Sequence, residues 1–130
     1  MIKEFLVEPM GKPRMTRSDQ WKIDPNHPNP KKRKRKCVIK YHEFQSLLKY
    51  QTNGLKMPDH GYHLMFFISM PASWSSKKKA SMALKPHQTK PDKDNLEKAF
   101  LDTVCEDDAY IWDGRVSKFW DYKGRIVLGA

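Results

Sequence analysis

The chain has 130 residues, 25 Lys/Arg against 15 Asp/Glu, a formal net charge of +10 and a sequence pI near 9.6. That length holds one core rather than two, and the charge calls for a polyanionic partner, most simply nucleic acid. Two cysteines, Cys37 and Cys105, give neither a disulfide framework nor zinc-ligand spacing. The longest apolar run, Leu64 to Ile68, falls far short of the roughly 20 residues of a membrane span, so a reduced, cytoplasmic chain is expected.

In chain order, Ile2, Phe5 and Val7 among Lys3, Glu4 and Glu8 predict a first strand that Pro9 ends; this is not the apolar block of a signal peptide. A basic, proline-rich loop follows at about 10–36. Residues 11–40 carry eleven Lys/Arg (Lys12, Arg14, Arg17, Lys22, Lys31, Lys32, Arg33, Lys34, Arg35, Lys36 and Lys40) against Asp19 and Asp24, which is +9 of the whole +10. The run from Lys31 to Lys36 reads either as a DNA contact or as a solvated basic segment.

Val38, Tyr41, Phe44 and Leu48 recur at helical spacing, predicting a helix over 37–51 that stops at Asn53-Gly54. Tyr62 to Met70 is β-rich without clean alternation and predicts a central strand buried on both faces, ended by Pro71. Ser76 suits the N-cap of a short helix running to Leu84 and carrying Lys77, Lys78 and Lys79. Trp74 beside it reads as a core or interface anchor, or as a base-stacking ring.

Leu96, Ala99, Phe100, Thr103 and Val104 give the clearest helical stripe, with Asp94 or Asn95 as N-cap. Residues 109–120 predict a strand, Tyr122 to Arg125 a tight turn and Ile126 to Leu128 a last strand, together a β-hairpin. The expected fold is α+β: a mixed sheet flanked by helices in a single small domain over 1–130.

Inside this basic chain lies an acidic knot. Residues 91–113 carry eight Asp/Glu against two Lys. Carboxylates repel phosphate, so such a cluster in a polyanion binder is easier to explain when it holds a cation. At about 100° per residue, Asp94, Lys98 and Asp102 share one helix face, away from the apolar stripe. Asp92 precedes the helix and can converge on Asp94; Asp108 joins only if the chain folds back. Carboxylates without His or Cys partners suit Mg²⁺ or Mn²⁺ and not zinc. Such an ion polarises a phosphodiester and lowers the pKa of bound water, and Lys98 is placed to stabilise added negative charge. The bland alternative remains open from spacing alone: Asp94 caps the helix, Glu97 and Asp102 pair with Lys98, and Asp107-Asp108 form a turn.

Lys90-Pro91-Asp92-Lys93-Asp94-Asn95-Leu96, with Lys98 and Asp102, then Asp107-Asp108 and a strand reaching Lys118, resembles the RusA family of Holliday junction resolvases. Pro71-Ala72-Ser73-Trp74-Ser75 followed by lysines looks like the phage and prophage branch. The resemblance covers about residues 62–120, in several separated elements in the right order; the basic loop is not matched closely. It implies a RusA-like, intertwined homodimer in a bacterial or phage-infected cytoplasm. It implies a Mg²⁺-dependent endonuclease, with Mn²⁺ as substitute, that resolves four-way junctions by paired nicks in recombination and repair. It places catalytic acids and metal ligands at Asp92, Asp94 and Asp108, with Asp107 a further candidate ligand, and an essential lysine at Lys98. Lys90, Lys118 and His87 fall on the substrate side. With Lys12, Arg14, Arg17, Lys31 to Lys36 and Lys77 to Lys79, the first two complete the expected DNA-binding set. The competing functions are a non-catalytic nucleic-acid-binding module and a junction-blind metal-dependent nuclease.

Overall fold

The structure, a computed structural model, describes residues 2–17, 19 and 25–130. Lys22 and Asp24 of the basic loop lie outside the described residues. These residues form a four-stranded sheet and three α-helices: β1 (Ile2–Phe5), α1 (Lys36–Gln51), β2 (Tyr62–Ser69), α2 (Ser76–Met82), α3 (Lys93–Val104), β3 (Gly114–Asp121) and β4 (Arg125–Gly129). The α+β class expected from the sequence is the class found.

The strand order is β1-β4-β2-β3, with β2 parallel to β3 and antiparallel to β4. β3 and β4 therefore form no hairpin, contrary to the sequence expectation. The most apolar strand, β2, takes the central place between them, because it has the most surface to bury. The short turn from Asp121 to Arg125 crosses the end of β2, where the Met70 N–H donates to the Asp121 carbonyl at 2.9 Å. Glu8 closes the same corner: its carboxylate accepts from the Ser69 N–H at 3.1 Å and the Ser69 hydroxyl at 2.8 Å. A Cβ on Gly124 would collide with that carboxylate, so the crossing needs glycine.

β2 alternates after all. Tyr62, Leu64, Phe66 and Ile68 are buried, whereas His63, Met65, Phe67 and Ser69 on the opposite face are half-buried. The buried row packs with Phe5, Ile126 and Leu128 of its sheet neighbours, Tyr41, Phe44 and Leu48 of α1, and Leu96, Ala99 and Phe100 of α3. β3 begins at Gly114 and not near 109, because residues 109–113 turn before joining the sheet. Leu101, outside the predicted apolar stripe of α3, is 7% exposed, with Cys105 and Ile111 packed against the same core.

Two helix starts differ from expectation by one to three residues. Ser75, not Ser76, caps α2, its hydroxyl accepting from the Lys78 N–H at 3.2 Å. Asp92 occupies the N-cap position of α3 and Asp94 lies in the first turn. Between these helices Leu84 adopts φ 63°, ending α2, and residues 84–87 then run along the open edge of β3. The Leu84 N–H donates to the Trp120 carbonyl, Trp120 to Lys85, and His87 to Lys118. This strip carries the chain to the start of α3.

Candidate active site

The start of α3 is held from beneath by β3. Lys118 projects on the same sheet face as Phe66, its register partner. Its ammonium donates to the main-chain carbonyls of Thr89 at 2.6 Å and Pro91 at 2.7 Å. The Lys90-Pro91 peptide is cis. Lys118, read from sequence as a DNA contact, therefore fixes the loop that delivers the acids.

That loop brings Asp92 and Asp94 to one cleft of about 780 Å³, shared with His87, Lys90 and Lys118. Asp92 stands at the N-cap yet its side chain caps nothing; it pairs with Lys90 at 3.1 Å, at the surface. Asp94 makes no hydrogen bond or ion pair among the described residues. The bland reading of Asp94 as a cap is thus overturned. Two carboxylates at a helix N-terminus, where the helix dipole favours negative charge, have most of their lone pairs free. Mg²⁺ is commonly held by one or two carboxylates, with waters and substrate phosphate filling the remaining positions, so this donor set fits it.

His87 closes the cleft floor. It is 3% exposed, its ring lies 4.1 Å from Trp120, and its Nδ1 has no partner. Burial, then the nearby Lys118 charge, holds its pKa below the ordinary histidine value. Trp74 packs on Trp120 at 4.9 Å and carries Lys78 over its ring at 4.2 Å. Trp74 is half-buried and packs against the core, while Lys77 and Lys78 are exposed and Lys79 is half-buried.

Lys98 opens on a neighbouring cleft of about 420 Å³, lined also by Lys12, Arg14 and Asn95. The basic loop is fastened here. The Asn95 side-chain amide donates to the Lys12 carbonyl at 3.3 Å, and Lys12 pairs with Asp102 at 2.8 Å. Asp102 is therefore a loop anchor and no partner of Lys98. That hydrogen bond to Asp102 raises the Lys12 pKa. A Cβ on Gly11 would come within 2.5 Å of the Asn95 amide nitrogen, so a side chain there would push that amide off the Lys12 carbonyl.

Further along, Arg35 donates to Asp19 at 2.5 Å and 3.0 Å and to the Arg14 carbonyl at 2.9 Å. The Arg35 guanidinium, with the Thr16 N–H, holds the Asp19 carboxyl well below the usual carboxylate range. Arg33 donates to the His27 carbonyl at 2.6 Å. Arg33 and Arg35 thus brace the loop from within. Lys31, Lys32 and Lys36 are exposed, Lys34 is half-buried, and Arg14 and Arg17 stand on the loop's outer side.

Asp107 and Asp108 lie elsewhere. Asp107 accepts from the Ala109 N–H at 2.9 Å in a local turn. Asp108 lines a third cavity of about 420 Å³ with Tyr62, Glu97, Trp112 and Asp113. Tyr62 donates to Glu97 at 2.6 Å, and burial followed by this bond pushes its hydroxyl pKa far up. Among the described residues no group of three His, Cys, Asp or Glu is placed to hold a metal ion. The expected convergence of Asp92, Asp94 and Asp108 is therefore not met within one chain: Asp108 opens on a different cavity.

Sequence reasoning missed Asn95 as the loop's fastening point and the placement of Trp112 in the irregular segment before β3. Gly11-Lys12-Pro13 is the one local signal for the first, a glycine at a point of close approach. No helix among the described residues is long and apolar enough to cross a membrane.

A family model described as Endodeoxyribonuclease RusA matches residues 7–129. No curated protein and no solved structure gives a match.

Proposed function

This chain belongs to the RusA endodeoxyribonuclease family and hydrolyses phosphodiester bonds in DNA, and we propose that it is a Mg²⁺-dependent resolvase of four-way junctions acting as a homodimer. The observation that carries this reading is the joining of grip and acids. The basic loop is bonded to the first turn of α3 through Asn95, the residue after Asp94, and Lys12, Arg14 and Lys98 line one cleft with Asn95. Cations that hold phosphate then flank carboxylates that hold a metal, which a passive binder would not require.

Asp92 and Asp94 would hold Mg²⁺, or Mn²⁺ in its place. Bound there, the ion supplies a polarised phosphodiester and a water of lowered pKa. The chain does the rest. Lys118 keeps the 89–91 loop in place, Lys12 and Arg14 seat a backbone phosphate, and Lys98 offers its ammonium to the charge that grows on the phosphoryl oxygens.

A junction is two-fold symmetric and one chain carries one acid cleft, so two cuts call for a C₂ pair. Met65, Phe67 and Phe119 form a half-buried apolar row on the outer sheet face, with Phe67 and Phe119 stacked at 5.4 Å; a second copy can cover it. Among the described residues Asp108 makes no side-chain hydrogen bond or ion pair. In such a pair it is available to complete the partner's Asp92–Asp94 cleft. Action in recombination and repair, in a bacterial or phage-infected cytoplasm, follows from that substrate.

The test is cleavage of a synthetic four-way junction beside a linear duplex of the same sequence, with Mg²⁺ and with chelator. Paired nicks in the junction alone, only with the ion, are expected. Equal cutting of the linear duplex would make the protein a junction-blind nuclease.

A further inference from the structure

Trp112 is 72% exposed, the most water-facing tryptophan among the described residues. It is not a loose side chain. Its ring rests on His60, with centroids 5.3 Å apart and planes 21° from parallel. His60 is held in turn by Asp59, Nδ1 to Oδ1 at 2.7 Å. The Trp112 N–H donates to the Asp59 carbonyl at 3.0 Å, and the preceding Ile111 N–H to the Asp108 carbonyl at 3.0 Å. One ring face is backed, the backbone is pinned on both sides, and the other face has no ring contact among the described residues.

The lining around it narrows the occupant. Trp112 shares its cavity with the carboxylates of Glu97, Asp108 and Asp113. With Asp108 given over to the partner's cleft in the proposed pair, Glu97 and Asp113 remain to repel a phosphate, so the DNA backbone is a poor fit in the slot itself. They accept the N–H groups that base edges present, while a flat indole stacks on a base of any sequence. A slot with a supported aromatic floor and acceptor walls suits an unstacked nucleobase. Bases are unstacked most cheaply where the duplex is already interrupted.

We infer that Trp112, backed by His60, is a stacking platform for a base displaced at the branch point of the DNA substrate. This rests on the branched-DNA reading above. It adds a reason for structure selectivity: a continuous duplex offers no base to the slot without unpairing one.

The probe is a four-way junction carrying 5-iododeoxyuridine at the branch point, bound to the wild-type protein in Ca²⁺ so that no cutting is needed. Irradiation should cross-link the base to the peptide containing Trp112, and the matching linear duplex should give little. Trp112→Ala should weaken junction binding by roughly tenfold while leaving linear-duplex binding unchanged; Trp112→Phe should retain most of it. A cross-link mapping to the basic loop instead, or equal loss on junction and duplex, overturns the platform. So does a change in sedimentation of Trp112→Ala, which would make the ring a contact between copies. Wild-type protein that binds junction no tighter than duplex refutes the branched-DNA reading itself. Preferred binding and cutting of the junction with no effect of Trp112→Ala refutes the platform alone.

Discussion

The side-chain amide of Asn95 donates to the main-chain carbonyl of Lys12 at 3.3 Å, across 83 residues of sequence. One hydrogen bond thus ties the first turn of α3, where the acids sit, to the segment that carries most of the net charge. Asn95→Ala should loosen that segment, leaving the Lys12–Asp102 ion pair as its remaining tie to α3. A lost neutral hydrogen bond costs about 1 kcal/mol, or roughly fivefold in junction affinity. The slope of log affinity against log salt should also become shallower by about one, as the Lys12–phosphate contact is lost. Fluorescence anisotropy in a salt series measures both; an unchanged slope would mean that Lys12 holds no phosphate.

Asp92→Asn and Asp94→Asn should each lower cleavage by more than the roughly 10- to 100-fold that losing a supporting partner of a metal ligand costs. Junction binding should persist or tighten, since a phosphate-repelling charge is removed. Lys98→Ala should lower the single-turnover rate by about 100-fold or more with little effect on binding. Gel-based cleavage and binding assays on one junction separate these outcomes.

Mixing inactive variants tests whether Asp108 serves its own chain or the partner. When Asp92→Asn and Asp108→Asn proteins are combined and allowed to exchange, action across the pair leaves one cleft with all its acids, and nicking returns. Action within one chain leaves both clefts defective and the mixture silent. Recovery of nicking is expected, because Asp108 opens on a separate cavity from Asp92 and Asp94.

Lys118→Met should leave the fold intact but release the Thr89 and Pro91 carbonyls. Stability should fall by roughly 2 kcal/mol, as hydrogen bonds from a charged donor are lost. Activity should fall by a larger factor, since Asp92 follows Pro91 directly. Thermal melts and cleavage rates measured on the same preparation compare the two; an unaffected rate would remove Lys118 from the positioning role.

His87 gives a pH dependence whose sign is fixed. Its folded pKa lies below the ordinary value of 6.5, through burial and the Lys118 charge. The unfolded chain therefore binds the proton more readily, and stability present above pH 6.5 declines as pH falls through the lowered folded pKa. His87→Phe keeps a ring against Trp120 and removes the titration. Its melting temperature should vary less than that of wild type between pH 7.5 and 5, as calorimetry would record.

Much of this was legible in the sequence, for identifiable reasons. Leu96, Ala99, Phe100 and Thr103 mark the buried side of α3 because helical period and burial coincide there. Val38, Tyr41, Phe44 and Leu48 do the same for α1. The hairpin was misread because turn chemistry at Tyr122 to Arg125 is local, whereas the insertion of β2 between β3 and β4 is decided by the whole core. Asp94 looked like a cap because acidic residues suit both the N-cap and the first turn, and only the backbone tells them apart. Asp102 was read as a partner for Lys98, yet it binds Lys12, ninety residues away. No local pattern carries such a pairing.

The order of the strands has a consequence for how the enzyme is made. β1 pairs only with β4, Phe5 opposite Ile126, and β4 also lies against β2. During translation the basic loop, both clefts and all the acids leave the ribosome before the strand that closes the sheet. Contacts this distant in sequence slow folding. The scaffold beneath the DNA-binding charge is therefore complete only once β4 has joined β1 on one edge and β2 on the other.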